Sequence, residues 1–426
     1  MSFKKTELGN IPIEWEVERI ENVLEEIIDY RGKTPKKANE GIETLSAKSV
    51  KNGYIDYSNA YYISPKTYKE FMVRGFPKKD DILLTTEAPL GNVAKLNKDN
   101  VAIAQRLLTL RGKENYMANE YLMYYLMSVI GQHQLHSRAT GTTVTGIKQS
   151  EFRKILITVP TFHEQKSITN ILSSLDEKIE TNNQINKKLE EMAKTIFKHW
   201  FVDFEFPNAE GEPYKSSDGE MVESELGMIP KDWCVEELIN LSDINPKETL
   251  KKGQESIYVE MANLPQNSAR ISNSVIKTYS GGTKFRNGDI LFARITPCLE
   301  NGKTAIVDFL NHNQVGFGST EYIILRPNVL NTYYLYFLVR DNDFRNNAIK
   351  NMNGSSGRQR VNVTFIQQYK VVCPPRSYLE RFSKLCKPLF EKMKYNDEES
   401  RVLSITRDTL LPKLMSGEVR IPIEKG

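Results

Sequence analysis

The chain states one passage twice. Glu7-Leu8-Gly9-Asn10-Ile11-Pro12, followed by Trp15 and Val17, returns as Glu225-Leu226-Gly227-Met228-Ile229-Pro230, followed by Trp233 and Val235. The offset is 218 residues in a chain of 426, and two of only three tryptophans occupy equivalent points of the pair. Chance is a poor explanation. An offset this long also excludes the small solenoid repeats, whose periods are about 20–50 residues. The fold is therefore constrained to two tandem copies of one unit, each about half the chain.

The echo continues in order. Asp81-Ile82-Leu83-Leu84 with Pro89 corresponds to Asp289-Ile290-Leu291-Phe292 with Pro297. Tyr121–Leu126 corresponds to Tyr333–Leu338, Gly141-Thr142-Thr143 to Gly354-Ser355-Ser356, and Val159-Pro160 to Cys373-Pro374. Residues 31–65 and 243–280 share almost nothing. A common frame thus carries dissimilar inserts. Within the frame, 81–85, 101–104, 107–110, 289–293 and 322–325 read as strands. Residues 155–157 read as a last strand, and 119–128 and 331–339 as aromatic helices.

Each copy ends in a different kind of segment, 164–200 and 378–414. Ile168, Leu172, Leu175, Ile179, Asn182, Asn186, Leu189, Ala193 and Ile196 are spaced by alternating fours and threes, a heptad seam. A shift of 214 residues reproduces it as Phe382, Cys386, Leu389, Met393, Asn396, Ser400, Leu403, Arg407 and Leu410, with the polar midpoint in the same place. Each segment predicts a helix about 50 Å long. Pro388 is expected to interrupt the second helix and Pro412 to end it. A helix with one apolar stripe needs a partner, and the other copy supplies one; two helices docked separately on their own domains are the alternative. Residues 206–225, with Pro207, Gly211, Pro213 and Gly219, read as an exposed linker.

Composition narrows the class further. Hydrophobic residues make up 39% and charged residues 26%, as in an ordinary globular protein. No apolar run of about 18 residues predicts a membrane span, and the N-terminus lacks the apolar core of a signal peptide. Four scattered cysteines lack metal-ligand spacing. A reduced cytoplasmic protein is the expectation. Net charge is only +4, but residues 31–51 carry six cations against two anions, and 340–370 repeat that balance. Both stretches coincide with turns, which suggests loops presented to an anion.

Motifs for chemistry are missing. There is no G-x-x-x-x-G-K-[ST] phosphate loop and no G-x-S-x-G elbow. Asn245-Pro246-Lys247-Glu248 lacks the second proline and the aromatic of an adenine methyltransferase motif. Gly316-Phe317-Gly318 is an isolated glycine pair, and His133 and His136 have no third metal ligand nearby. Asp176-Glu177-Lys178 resembles a nuclease fragment but lies on the heptad helix. The chain reads as a binding or scaffolding protein with no metal and no cofactor of its own.

These residues resemble the specificity subunits of type I restriction–modification systems. The resemblance rests on Leu-Gly-x-Ile-Pro-x-x-Trp at 8–15 and 226–233, on Ile196–Phe204, on Leu410–Val419 and on Asp29–Pro35. It implies an α+β fold of two tandem mixed target-recognition domains, 1–160 and 226–374. Two long helices, within 161–205 and 375–426, would separate them and pair as an antiparallel coiled coil with pseudo-twofold symmetry. It further implies double-stranded DNA and two modification subunits as partners, with restriction/translocase subunits joining them. S-adenosylmethionine, ATP and Mg would belong only to those partner subunits. A methyltransferase or nuclease with its own recognition region, or a coiled-coil adaptor that binds no DNA, are the alternatives.

The resemblance assigns no individual contacts, so residue chemistry must. Phosphates suit Lys33, Lys36, Lys37, Lys148 and Arg345. Base edges suit Arg31, Gln105, Arg106, Arg138, Arg358, Gln359 and Arg360, with Thr142, Thr143, Ser355 and Ser356 beside them. Helix pairing should run through Leu175, Ile179, Asn182, Asn186 and Leu189 against Leu389, Met393, Asn396, Ser400 and Leu403.

Overall fold

The computed structural model describes residues 2–30, 34–141, 143–271, 273–355 and 357–421. The chain forms two compact units, Met1–Ile179 with Arg401–Gly426, and Glu180–Ser400. Both long helices cross the division, so each unit holds one copy's globular part and half of each helix.

In the first unit a four-stranded antiparallel sheet runs in the order Leu24–Asp29, Leu107–Gly112, Ile82–Thr86, Leu90–Lys95. Its residues alternate between two cores, as strand periodicity requires. Ile82, Leu84, Leu108 and Leu110 join the aromatic helix Asn119–Met127, while Leu83, Leu107, Ile28 and Ala94 join the insert. Burial on both faces is why Ile82–Thr86 shows no polar alternation. The second unit repeats the order with Ser242–Ile244, Tyr322–Pro327, Ile290–Ala293 and Thr304–Ile306. Ile290 and Phe292 face one core there, Leu291 and Ala293 the other.

The inserts differ in sequence yet build related sheets. Ile42–Leu45 pairs antiparallel with Tyr61–Ile63 and parallel with Ala102–Ile103. Glu255–Val259 pairs antiparallel with Val275–Thr278 and parallel with Gly316–Gly318. A ladder is made of backbone, so unlike sequences can form it. Gly316-Phe317-Gly318 is thus a buried strand, in which any Cβ at Gly316 would lie 2.4 Å from the Phe285 ring.

One buried ion pair occurs in both copies. Asp81, 1% exposed, accepts from Arg111 Nε at 2.8 Å and Nη2 at 2.7 Å, and from the Lys78 amide at 2.8 Å. Asp289, also 1% exposed, accepts from Arg326 at 2.7 and 2.8 Å and from the Arg286 amide at 2.7 Å. The repeated aspartates of the frame are therefore buttresses of the central sheet.

The long helices are Phe162–Phe197, of 36 residues, and Arg376–Ser416, of 41. Neither proline acts as expected. Pro388 and Pro412 both lie inside the second helix, on its exposed side. There the carbonyls that lose an amide partner can face water, while the buried stripe on the opposite side holds the helix. Every residue of the two heptad seams is buried or half-buried.

Residues 206–225 are also more than an exposed linker. Phe206, 1% exposed, stacks on Trp233 at 4.9 Å and on Tyr214 at 4.5 Å, and Met221–Ser224 forms a hairpin with Gly227–Pro230. Burying aromatic area holds this stretch down despite its turn residues. A wide π-type turn, Lys198–Val202, buries Trp200 and Phe201 in the same core. In the first unit Trp15 is buried and donates Nε1 to Glu164 at 3.0 Å. Gly417, at φ +73°, ends the second helix against Trp15 and Pro12, where a Cβ would lie 2.4 Å from Pro12. Only glycine combines that backbone with that approach.

Candidate nucleic-acid interface

In each unit the end of a central strand carries a small backbone platform. In the first, the Thr86 amide donates to Arg106 O at 3.0 Å, and the Ile147 amide donates to Thr86 O at 3.0 Å. Glu87 forms a bridge with Gly146. In the second, the Arg294 amide donates to Glu321 O at 3.0 Å, and the Val361 amide to Arg294 O at 2.9 Å. Ile295 forms a bridge with Arg360. The correspondence is position by position: Thr86 with Arg294, Glu87 with Ile295, Arg106 with Glu321, Gly146 with Arg360. The Ala88–Pro89 and Thr296–Pro297 bonds just beyond are both cis.

The side chains on these platforms are not alike. Arg106 Nε pairs with Glu87 at 2.6 Å. In the second unit Glu321 occupies the place of Arg106, Ile295 replaces Glu87, and the paired cation comes from another position, Arg360 at the place of Gly146. Arg360 grips Glu321, Nε to both carboxylate oxygens at 2.9 and 2.8 Å and Nη2 at 2.7 Å. These bonds hold the Arg360 guanidinium above its ordinary range. Arg106 sits at φ +71°, a left-handed conformation that costs a non-glycine residue about 1–2 kcal/mol.

Several residues singled out from the sequence meet at these platforms. Gln105, Arg106 and Lys148 line one cleft of about 350 Å³ with Thr86, Glu87, Thr140, Val144, Gly146 and Ile147. The loop over it is closed by Thr140 and Gly146, which exchange backbone hydrogen bonds at 2.8 and 3.0 Å, and carries exposed Thr143. In the second unit Met352–Asn353 pairs with Arg360–Val361, presenting exposed Ser355 and Arg358 at the tip. The Arg358 amide donates to Ser355 O at 3.0 Å, and Gln359 O accepts from the Thr296 amide at 3.0 Å.

Others lie apart. Lys36 and Lys37 are exposed beside the insert sheet, Lys37 Nζ lying 5.0 Å over the Tyr61 ring. Arg138 follows the helix Val129–Ser137 and does not line the cleft. Arg345 is half-buried on Asn342–Lys350 and donates Nη2 to Asn342 at 3.0 Å. Arg31, Lys33, Thr142 and Ser356 lie outside the described residues. Thr86, Glu87, Thr140 and Glu321 were not singled out from the sequence. Thr86 and Glu87 lie between the repeated Asp81 and Pro89, and that echo was the signal available.

Helix pairing is explicit inside the unit Glu180–Ser400. Asn182 Nδ2 reaches Glu399 Oε2 at 2.8 Å, Ser400 Oγ at 3.2 Å and Asn396 O at 3.4 Å. Asn186 Nδ2 reaches Asp397 at 2.7 Å, and Asn396 Nδ2 donates to Asn186 at 2.8 Å. Partner numbers fall as the first helix's numbers rise, so the helices are antiparallel. Leu189, Leu389 and Met393 join the core of this unit. Leu175, Ile179 and Leu403 are half-buried. In the other unit Asp176 pairs with Arg407 at 2.6 Å.

A profile of the type I restriction modification DNA specificity domain matches residues 12–191 and 230–385. The chain belongs to this family. Each matched stretch spans one copy of the repeat, so the duplication is of the specificity domain itself. The chain is 29% identical to the type I restriction enzyme MjaIX specificity subunit of Methanocaldococcus jannaschii, over 98% of this chain and 96% of that one. It is 24% identical to the type I restriction enzyme HindI specificity subunit of Haemophilus influenzae, over 80% of this chain and 87% of that one. Its fold is similar to the crystal structure of a type I restriction-modification S subunit from M. genitalium, with a TM-score of 0.55, 18% identity and coverage of 97% of this chain and 99% of that one. No helix among the described residues is long and apolar enough to cross a membrane.

Proposed function

We propose that this specificity-family chain reads a split DNA sequence for a type I restriction–modification complex and performs no chemistry itself. One observation carries the reading: the same backbone platform occurs twice, bearing unlike side chains. A shared platform places both reading heads alike on a duplex, and unlike heads select different bases. Gln105, Arg106, Lys148 and Thr143 serve the first half-site. Ser355, Arg358, Gln359 and Arg360 serve the second. Lys36 and Lys37 suit phosphates.

The antiparallel helices set the number of undefined base pairs between the halves and dock two modification subunits, one per copy. Those subunits bring S-adenosylmethionine and methylate adenine; restriction subunits bring ATP and Mg. The chain works in the cytoplasm with its DNA. Mapping methylated adenines genome-wide in a host carrying this subunit tests the reading. A bipartite site with two different halves is expected. A continuous or symmetric site overturns it, as does methyl transfer by the chain alone.

A further inference from the structure

We infer that Arg294 donates paired hydrogen bonds to a guanine edge in the half-site served by the second copy. The inference rests on the DNA-reading function proposed above and adds to it a residue and a base. Arg294 is half-buried at the end of Ile290–Ala293. Its backbone is held on both sides, by Glu321 O and the Val361 amide. Its Nε is buried and has no hydrogen-bond partner among the described residues. The nearby carboxylate, Glu321, is fully engaged by Arg360. The described residues thus leave a guanidinium on a rigid strand end, with its charge uncompensated, next to the loop Gly354–Arg360.

A guanidinium so placed needs acceptors from outside the chain. With Nε buried in a half-buried side chain, an outside acceptor pair would be met through Nη1 and Nη2, and a planar fork matches the N7 and O6 acceptors of guanine. A phosphate contact asks only for reach and charge. The first copy supports the distinction. Its equivalent residue is Thr86, buried and short. A clamp on the backbone common to all DNA would be useful in both copies, whereas a base reader belongs to one.

The test uses the whole chain in a host with its modification subunits, comparing methylated sites for the native protein, Arg294→Ala, Arg294→Lys and Arg358→Ala. Arg294→Ala is expected to lose preference for guanine at one position of the second half, by about 5- to 150-fold. The first half and the thermal unfolding of the chain should be unchanged. Arg294→Lys should lose the same preference, since an ammonium cannot form the paired contact. Uniform weakening over all sequences, or a preference that Arg294→Lys preserves, would make Arg294 a phosphate contact and overturn the inference. So would an unchanged second half in Arg294→Ala. If Arg358→Ala alters that half while Arg294→Ala does not, only this inference fails. If neither variant changes any base preference, the reading function itself fails.

Discussion

Replacing Asp81 by Ala should cost the first unit about 3 kcal/mol, the lower end of the range for breaking a buried ion pair. Asp81 is 1% exposed, and Arg111, 13% exposed, would keep its charge in a largely buried place with Glu26 and the Phe76 carbonyl still beside it. The Lys78 amide would lose its acceptor as well. Retention of Glu26, itself 39% exposed, is what holds the loss near the lower end. Urea denaturation resolves the effect, because the three tryptophans are Trp15, Trp200 and Trp233. With Trp200→Phe and Trp233→Phe in the background, Trp15 reports the first unit alone. Its midpoint should fall by about 1 M for an m-value of about 2–3 kcal/mol per M. Asp81→Leu with Arg111→Met should restore most of the loss, since no unpaired charge then remains. Asp289→Ala should act likewise on the second unit, somewhat more mildly, because Arg326 is 25% exposed and keeps Glu248, which is 4% exposed. A loss below about 1 kcal/mol for Asp81→Ala, or a double variant as unstable as the single, would refute the reasoning.

Three further outcomes follow from the helices and the buried groups. Asn182 and Asn396 are each 1% exposed and each has a buried Oδ1 without a partner in the described residues, so changing both to Leu should raise the calorimetric melting temperature. Each orphan oxygen costs about 1–3 kcal/mol; the same variant should blur the gap in the methylated site as register loosens, and a lower melting temperature would count against this account. Deleting one heptad from both helices removes about 10 Å and should shorten the mapped gap by about three base pairs while leaving the defined bases intact. Burial pushes the thiols of Cys386 and Cys373 up to about 12 from 9.0, so both stay protonated in the folded chain well above the pH at which an unfolded chain's thiols ionise. Their contribution to stability is complete below pH 9 and is lost as pH rises toward 12; in thiol titration of the native chain at pH 8, exposed Cys234 should react and Cys386 should not.

Duplication, helix spacing and class were legible in the chain because they depend on periodicity and order. Trp15 and Trp233, the Asp81 and Asp289 strands and the two heptad seams recur at fixed offsets, and a repeated pattern survives the loss of all three-dimensional information. The prolines misled because their cost depends on which side of the helix they occupy, and only packing decides that. The stretch 206–225 misled for a similar reason: turn residues predict loops, but Phe206 found Trp233 to stack upon.

Candidate site residues could be named from the sequence as types and not as places. Lys148 is far in number from Gln105 and Arg106 yet shares one cleft with them, whereas Lys36 and Arg138, equally basic in sequence, do not line it. The placing of Glu321 where Arg106 stands, and of Arg360 where Gly146 stands, was invisible, because those equivalences are set by backbone hydrogen bonds outside the repeated Asp81–Pro89 frame. Sequence order alone determined that this chain is two specificity domains joined through two seams. Tertiary structure alone decided which side chains stand on the shared platform, since a sheet joins residues through backbone groups that carry no side-chain signature.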